Sequence, residues 1–215
     1  MNHMGNIGNQ DTIENLISLI DMTQLKNEIK CNPETKFREE DIDAIKRGDL
    51  AVILHVVELY AIGSDKITPN PNLALKMCKL CIDLGSANGY GLLADFYENG
   101  IGVEKDYHLS LMTLLEGAKK GSPLCMVRLA NRNQRHRISF DGYNIFGVEE
   151  ECRWLKQAAE LNYPLSYIPL GLRYQSGIGV EQNRDEAILW YNRAKEAGIE
   201  TAMDYIIDIW RTNKD

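Results

Sequence analysis

The chain has 215 residues, 44% of them hydrophobic, which is enough to bury a core as one domain or a short solenoid and excludes disorder throughout. Its formal net charge of −7 argues against broad nucleic-acid binding through phosphate neutralisation and suits a basic protein or peptide better. No window holds the roughly 18 apolar residues of a membrane span, because the longest apolar stretch, Leu50 to Ile62, is interrupted by His55 and Glu58.

The N-terminal MNHMGNIGNQ lacks the basic start and apolar core of a secretory signal, so 1–10 reads as a flexible tail and the protein as cytoplasmic. Asp11 followed three residues later by Glu14 has the pattern of a capping box. Ile13, Leu16, Ile17 and Ile20 then give one apolar helical face, which continues towards Ile29 until Asn32-Pro33 breaks it. A second, charged helix over Arg38 to Arg47 ends at Gly48. Residues 11–47 are therefore expected to be capping helices, a degenerate first hairpin covering the end of the array that follows.

From Gly48 onward the chain repeats. The tyrosine before a glycine loop recurs as Tyr60 in YAIG, Tyr97 in YENGIGV and Tyr174 in YQSGIGV, with Gly48, Gly85 and Asn162 twelve residues before each. Four before each tyrosine stands Val56, Leu93 or Leu170, and eight before it the smaller Val52, Gly89 or Ser166. The same frame fits Gly121, Cys125, Leu129 and Asn133, then Gly198, Ala202, Ile206 and Trp210. Units thus start at 48, 85, 121, 162 and 198, and only the third, with its 41-residue step, carries an insertion. The last is a half-unit whose polar TNKD ending closes the array.

Each unit has two apolar runs at helical spacing around a glycine loop, which predicts a helical hairpin. Gly177 and Gly179 make the turn in the fourth unit, and Gly171 lets the second helix approach the first. Asn183, Asp106 and Asn70 occupy equivalent N-cap positions. Along the second helix, Ala187, Trp190, Ala194 and Gly198 stand in register with Ala74, Met77, Cys81 and Gly85, so that bulky and small residues alternate.

This pattern, LGLRYQSGIGVEQNRDEAILWYNRAKEAG in its fullest form, resembles the Sel1-like repeat, a relative of the tetratricopeptide repeat, over roughly residues 48 to 212. The resemblance implies an all-α fold, a right-handed α-solenoid of helix-turn-helix repeats spanning 48–215, that serves as an adaptor or scaffold for other proteins. It departs from the pattern in the first loop, IGSDKITPNP, and at Asn133, where the tyrosine belongs. Secreted members of the family tend to pair cysteines in each hairpin. The five cysteines here do not repeat with the units, which favours reduced thiols in a reducing compartment.

Enzymatic constellations are thin. Cys78-Lys-Leu-Cys81 invites a metal or redox reading, but no second CxxC or histidine pair accompanies it, and Cys81 holds the small position of a helix. The GIGVEK and GIGVEQ loops lack the third glycine and preceding strand of a dinucleotide fingerprint. His3, His55, His108 and His136 have no nucleophile and acid at catalytic spacing. The expectation is a non-enzymatic interaction module without metal or cofactor, an adaptor or an immunity-type or regulatory binding protein, of a bacterial kind. The alternative is an enzyme of cell-wall (penicillin-binding or β-lactamase-like) or thiol redox chemistry.

Two candidate partner sites remain. By analogy with tetratricopeptide repeats, first-helix residues nine, six and two before the tyrosine and one after it line a concave groove. These are Leu54, Glu58, Asn88, Asp95, Glu98, Val127, Asn131, Gln134, Leu165, Ile168, Leu172, Gln175, Asp204, Asp208 and Arg211. An apolar floor with acidic flanks suits a peptide or helix carrying basic residues. The second candidate is the lengthened third-unit loop, where Arg128, Arg132, Arg135, His136 and Arg137 cluster as a solvated face or as an anion or acidic-partner site.

Overall fold

A computed structural model describes residues 4–31, 38–64, 66–135 and 147–211. Among them every regular element is helical: α1 (Met4–Ser18), α2 (Met22–Cys31), α3 (Glu39–Lys46), α4 (Leu50–Ile62), α5 (Pro71–Asp83) and α6 (Gly89–Asn99). There follow α7 (Tyr107–Lys119), α8 (Pro123–Arg135), α9 (Val148–Glu160), a 3-10 turn (Pro164–Ser166), α10 (Tyr167–Ser176), α11 (Arg184–Glu196) and α12 (Ala202–Arg211). From α4 onward these alternate as the first and second helices of the repeating unit. The chain divides into two compact units, Met1–Gly117 and Ala118–Asp215, with the boundary inside α7.

The caps are set by short-range chemistry that the sequence displays. Asn70 accepts from Leu73 N, Asp106 from Leu109 N and Asn183 from Glu186 N, each satisfying an orphan donor in the first turn of a second helix. Asp49 does the same for α4 through Ala51 N and Val52 N.

The glycine loops do more than turn the chain. Gly102 and Gly179, at φ 68° and 78°, occupy the left-handed region. A Cβ on Gly102 would lie 2.7 Å from the Pro71 carbonyl oxygen, and one on Gly179 would collide with the Val148 carbonyl oxygen. In both cases the second glycine of GIG is seated on the N-terminal end of the previous unit's second helix. Cys152 Sγ reinforces the later contact by donating to Ile178 O at 3.1 Å. Within the fourth hairpin, Gly171 faces the ring of Tyr191 so closely that any side chain would overlap it.

The first unit's core gathers Leu16, Leu25, Ile45, Ile53, Val57, Met77, Cys78, Cys81 and Phe96, all at most 1% exposed. Its N-terminal part differs from the sequence expectation. Helix α1 begins at Met4, inside the stretch read as a tail, and Asp11 lies in its interior instead of at its N-cap. No proline interrupts residues 4–18, and Gln10 Nε2 donates to Glu14 Oε1 one turn on at 3.2 Å, so the acidic spacing taken for a capping box also fits mid-helix. The apolar face does not run on to Ile29 as one helix, because Asp21 stops α1 and caps α2, accepting from Thr23 N and Gln24 N. Asp21 N–H also donates to Tyr60 Oη at 2.8 Å, and Ser64 Oγ donates to Glu28 Oε2 at 2.7 Å, fastening this segment to the first hairpin. The expected TNKD closure at 212–215 lies outside the described residues.

Candidate protein-interaction surface

A first helix can present to a partner only what its neighbours leave uncovered. Nine and two residues before the tyrosine, two turns apart and so on one helical face, stand Asn88 and Asp95, Leu165 and Leu172, with Glu58, Asn131 and Asp208 at the second of these offsets. All are exposed except Asp95, which is half-buried. In the first unit this face is polar and acidic, with Glu98 half-buried at its edge. In the second unit it turns apolar around the start of α10, where Leu165 in the 3-10 turn and Leu172 in α10 are 59% and 40% exposed and Leu161, just ahead, is 54% exposed. Asn131 of α8 and Asp208 of α12 provide its polar members.

The offset six before the tyrosine is a correction. Leu54 and Val127 are only 7% and 5% exposed and belong to the core. Each is adjacent in sequence to a buried residue, Ile53 or Met126, and lies one turn before others, Val57 or Ala130, so it belongs to the buried side of its helix. Ile168, at the same offset, is half-buried against the cluster of Ala187, Tyr191 and Ile209. Asp204 alone is exposed there. Gln175 is half-buried and engaged: Tyr191 Oη donates to its Oε1 at 2.7 Å, and Gln182 Nε2 donates to its backbone oxygen at 2.9 Å. Burial raises the Tyr191 phenol pKa, keeping it a donor. Arg211 is exposed at the end of α12.

Of the arginine cluster, Arg128 is half-buried. Its charge partly opposes the rise that burial imposes on the Tyr163 phenol. The side chains of Arg132, Gln134 and Arg135, and the whole of His136 and Arg137, lie outside the described residues.

Sequence reasoning missed the polar contact behind the leucines. Arg173 donates to Glu151 Oε2 at 2.5 Å, and the two side chains are 4% and 2% exposed. Arg173 stands directly before the tyrosine, where other units have Leu59, Phe96, Arg132 and Ile209, while Glu151 aligns with Ala74, Ser110 and Ala187. A carboxylate where the other units have Ala or Ser, opposite an arginine at the spacing that pairs Ala74 with Phe96 and Ala187 with Ile209, was the available signal.

Cys78 and Cys81 are fully buried, and burial pushes both thiols up to about 12. Cys78 Sγ donates to Gly89 O at 3.4 Å. Both are therefore protonated packing groups at neutral pH, without the depressed pKa of a redox nucleophile. Among the described residues no three His, Cys, Asp or Glu side chains converge as a metal site, and no helix is long and apolar enough to cross a membrane.

Known proteins resemble the chain in sequence and in fold. Chitin synthase regulator SKT5 of Saccharomyces cerevisiae is 26% identical over 183 residues, covering 81% of this chain and 24% of that protein, so the chain spans about a quarter of this relative. A Sel1 repeat protein from Oxalobacter formigenes superposes with a TM-score of 0.62 at 23% identity, over 76% of this chain and 46% of its own. The protective antigen c5321 of uropathogenic Escherichia coli, which has the same repeat fold, gives 0.60 at 23% identity over 81% and 36%. The Sel1 repeat model matches residues 50–86, 81–122, 152–163 and 166–199, more than half the sequence. On this match, and on the hairpins that realise it, the chain belongs to the Sel1 repeat family.

Proposed function

We propose that the protein is a non-enzymatic regulatory interaction module that holds a basic peptide or helix of a partner protein on the exposed first-helix face. The observation that carries this is the pair Leu165 and Leu172, two large exposed apolar side chains two turns apart in a unit that buries Leu129 and Leu170 of its first helices. Exposed apolar side chains with a polar rim are how such repeats anchor an amphipathic ligand. Membership of a repeat family that generally mediates protein–protein interaction supports the assignment. The yeast relative is named as a regulator of an enzyme, which supports a regulatory role ahead of an immunity-type one. Against thiol catalysis stands the burial of Cys78 and Cys81; a reducing, cytoplasmic setting accords with Cys78, Cys81 and Cys152 standing outside any disulfide.

The test is to recover the partner from the native host with tagged protein, then measure its binding to Leu165→Ala/Leu172→Ala by surface plasmon resonance. Faster dissociation with an unchanged melting temperature is expected, since apolar anchors act chiefly on lifetime. Binding that ignores both leucines but fails when Arg132, Arg135 and Arg137 are neutralised would move the site to the inserted loop.

A further inference from the structure

The fourth hairpin is built differently from the first three beside its exposed leucines. Three residues before the tyrosine position the earlier units carry Val57, Ala94 and Ala130, and here stands Gly171. In the second helix Tyr191 takes the place of Cys78, Leu114 and Leu155. The two changes belong together: a Cβ on Gly171 would overlap the Tyr191 ring, so the missing side chain is what admits the aromatic one. The hydroxyl of this fully buried tyrosine is thereby brought to α10, where Oη donates to Gln175 Oε1 at 2.7 Å.

That hydrogen bond fixes which way the glutamine amide faces. Burial raises the Tyr191 phenol pKa, so the hydroxyl stays protonated and holds the oxygen end of the amide against it. The nitrogen end points away from Tyr191, and no described residue accepts from it. Gln175 is half-buried and comes one turn after Leu172, about 60° round the helix from it. An oriented N–H donor therefore borders the apolar pair Leu165 and Leu172.

A donor in that place selects among ligands. A helix spends its carbonyls on its own ladder except in its last turn, whereas the carbonyls of an extended chain all need donors. We infer that Gln175 is a specificity-determining residue that donates from Nε2 to a main-chain carbonyl of an extended, basic partner segment, with Tyr191 as its positioning residue. The inference rests on the Leu165 and Leu172 face being the binding surface, and it narrows the occupant from a peptide or helix to an extended peptide.

Gln175→Glu is the decisive variant, because it keeps the shape of the side chain and the oxygen that Tyr191 donates to, but replaces the amide donor with a charged acceptor. By charge alone one more carboxylate should tighten a basic ligand; set against a carbonyl oxygen it should weaken it. The probe is a set of short fluorescent lysine–leucine peptides with a central proline, which keeps them from becoming helical. Fluorescence anisotropy reads the tightest binder, and circular dichroism checks each variant's fold. Gln175→Glu should weaken binding about tenfold with an unchanged melting temperature. Tyr191→Phe, which releases the amide, should weaken it about threefold alone and add nothing in the Gln175→Glu background. Affinity in Gln175→Glu equal to or above that of the wild type overturns the inference, as does a further loss from Tyr191→Phe in that background or the absence of saturable binding to the wild type. Leu165→Ala/Leu172→Ala separates the two levels. Binding indifferent to these leucines removes the surface and the inference with it, whereas binding that needs them but is tightened by Gln175→Glu removes the role of the amide alone.

Discussion

Cys81 fills, in α5, the place that Gly117, Ala158 and Ala194 take in the later second helices, and all four are buried. Cys81→Ala should therefore be mild, whereas Cys81→Leu should overpack the hairpin and cost about 1–3 kcal/mol in urea unfolding. A larger loss for alanine than for leucine would refute the packing role. The thiols also make a pH prediction. Their folded pKa values, about 12, lie above the ordinary value of 9.0. The native state thus holds its protons more tightly, and the resulting stability is intact below pH 9 and lost as pH rises towards 12. The fall in melting temperature across that window should shrink in Cys78→Ala/Cys81→Ala. Glycines provide a second residue-scale contrast. Gly85 and Gly179 both have positive φ, but a Cβ on Gly85 meets nothing within 4 Å while one on Gly179 strikes α9. Gly85→Ala should cost about 1–2 kcal/mol of backbone strain, and Gly179→Ala clearly more; equal losses would mean the loop is not seated on the preceding unit. Caps and loop glycines were readable from sequence because their chemistry is local and repeats in frame.

Between elements, the Glu151–Arg173 pair joins α9 to α10 at a place where the first and last joints use Ala74 with Phe96 and Ala187 with Ile209. It is the less economical solution, since Glu151 Oε1 and Arg173 Nε are buried without hydrogen-bond partners and desolvating two charges offsets much of their attraction. Removing one partner strands the other, so Glu151→Ala or Arg173→Ala alone should cost about 3–5 kcal/mol. Replacing both with the pair used at the last joint, Glu151→Ala with Arg173→Ile, should be neutral or stabilising by about 1–4 kcal/mol. Denaturant unfolding of the three variants decides it, and a double variant as damaged as the singles would show that the ion pair itself holds the joint. Reading each unit against a consensus hid this contact, because the frame directs attention to what recurs and the pair is a departure. The same habit placed Leu54 and Val127 in the groove. Offset counting treats each first helix as if its inner side were open, whereas the core closes over Leu54 and Val127.

Across the whole molecule, the hairpin count and frame were legible because a repeat states its packing several times over, whereas the binding face depends on which side chains neighbouring helices leave bare. Leu165 and Leu172 survive that test and Ile168 does not, so the anchor we propose is this exposed leucine pair in the 3-10 turn and α10. The net charge of −7 acts at longer range. If the partner segment is basic, the field of the exposed carboxylates raises the association rate and screens out over about 8–10 Å in physiological salt. Glu58→Lys, Asp95→Lys and Asp208→Lys should together slow association by roughly tenfold at low salt and flatten its dependence on ionic strength, leaving dissociation nearly unchanged. Leu165→Ala/Leu172→Ala should do the reverse, speeding dissociation with little effect on association. Lys119 and Lys156, exposed on second helices, serve as controls whose replacement should alter neither rate. Stopped-flow association at several salt concentrations separates these effects. An association rate that rises after the three acidic residues are reversed would establish that the partner surface is acidic, and with it that the arginines around the inserted loop, not the first-helix face, make the contact.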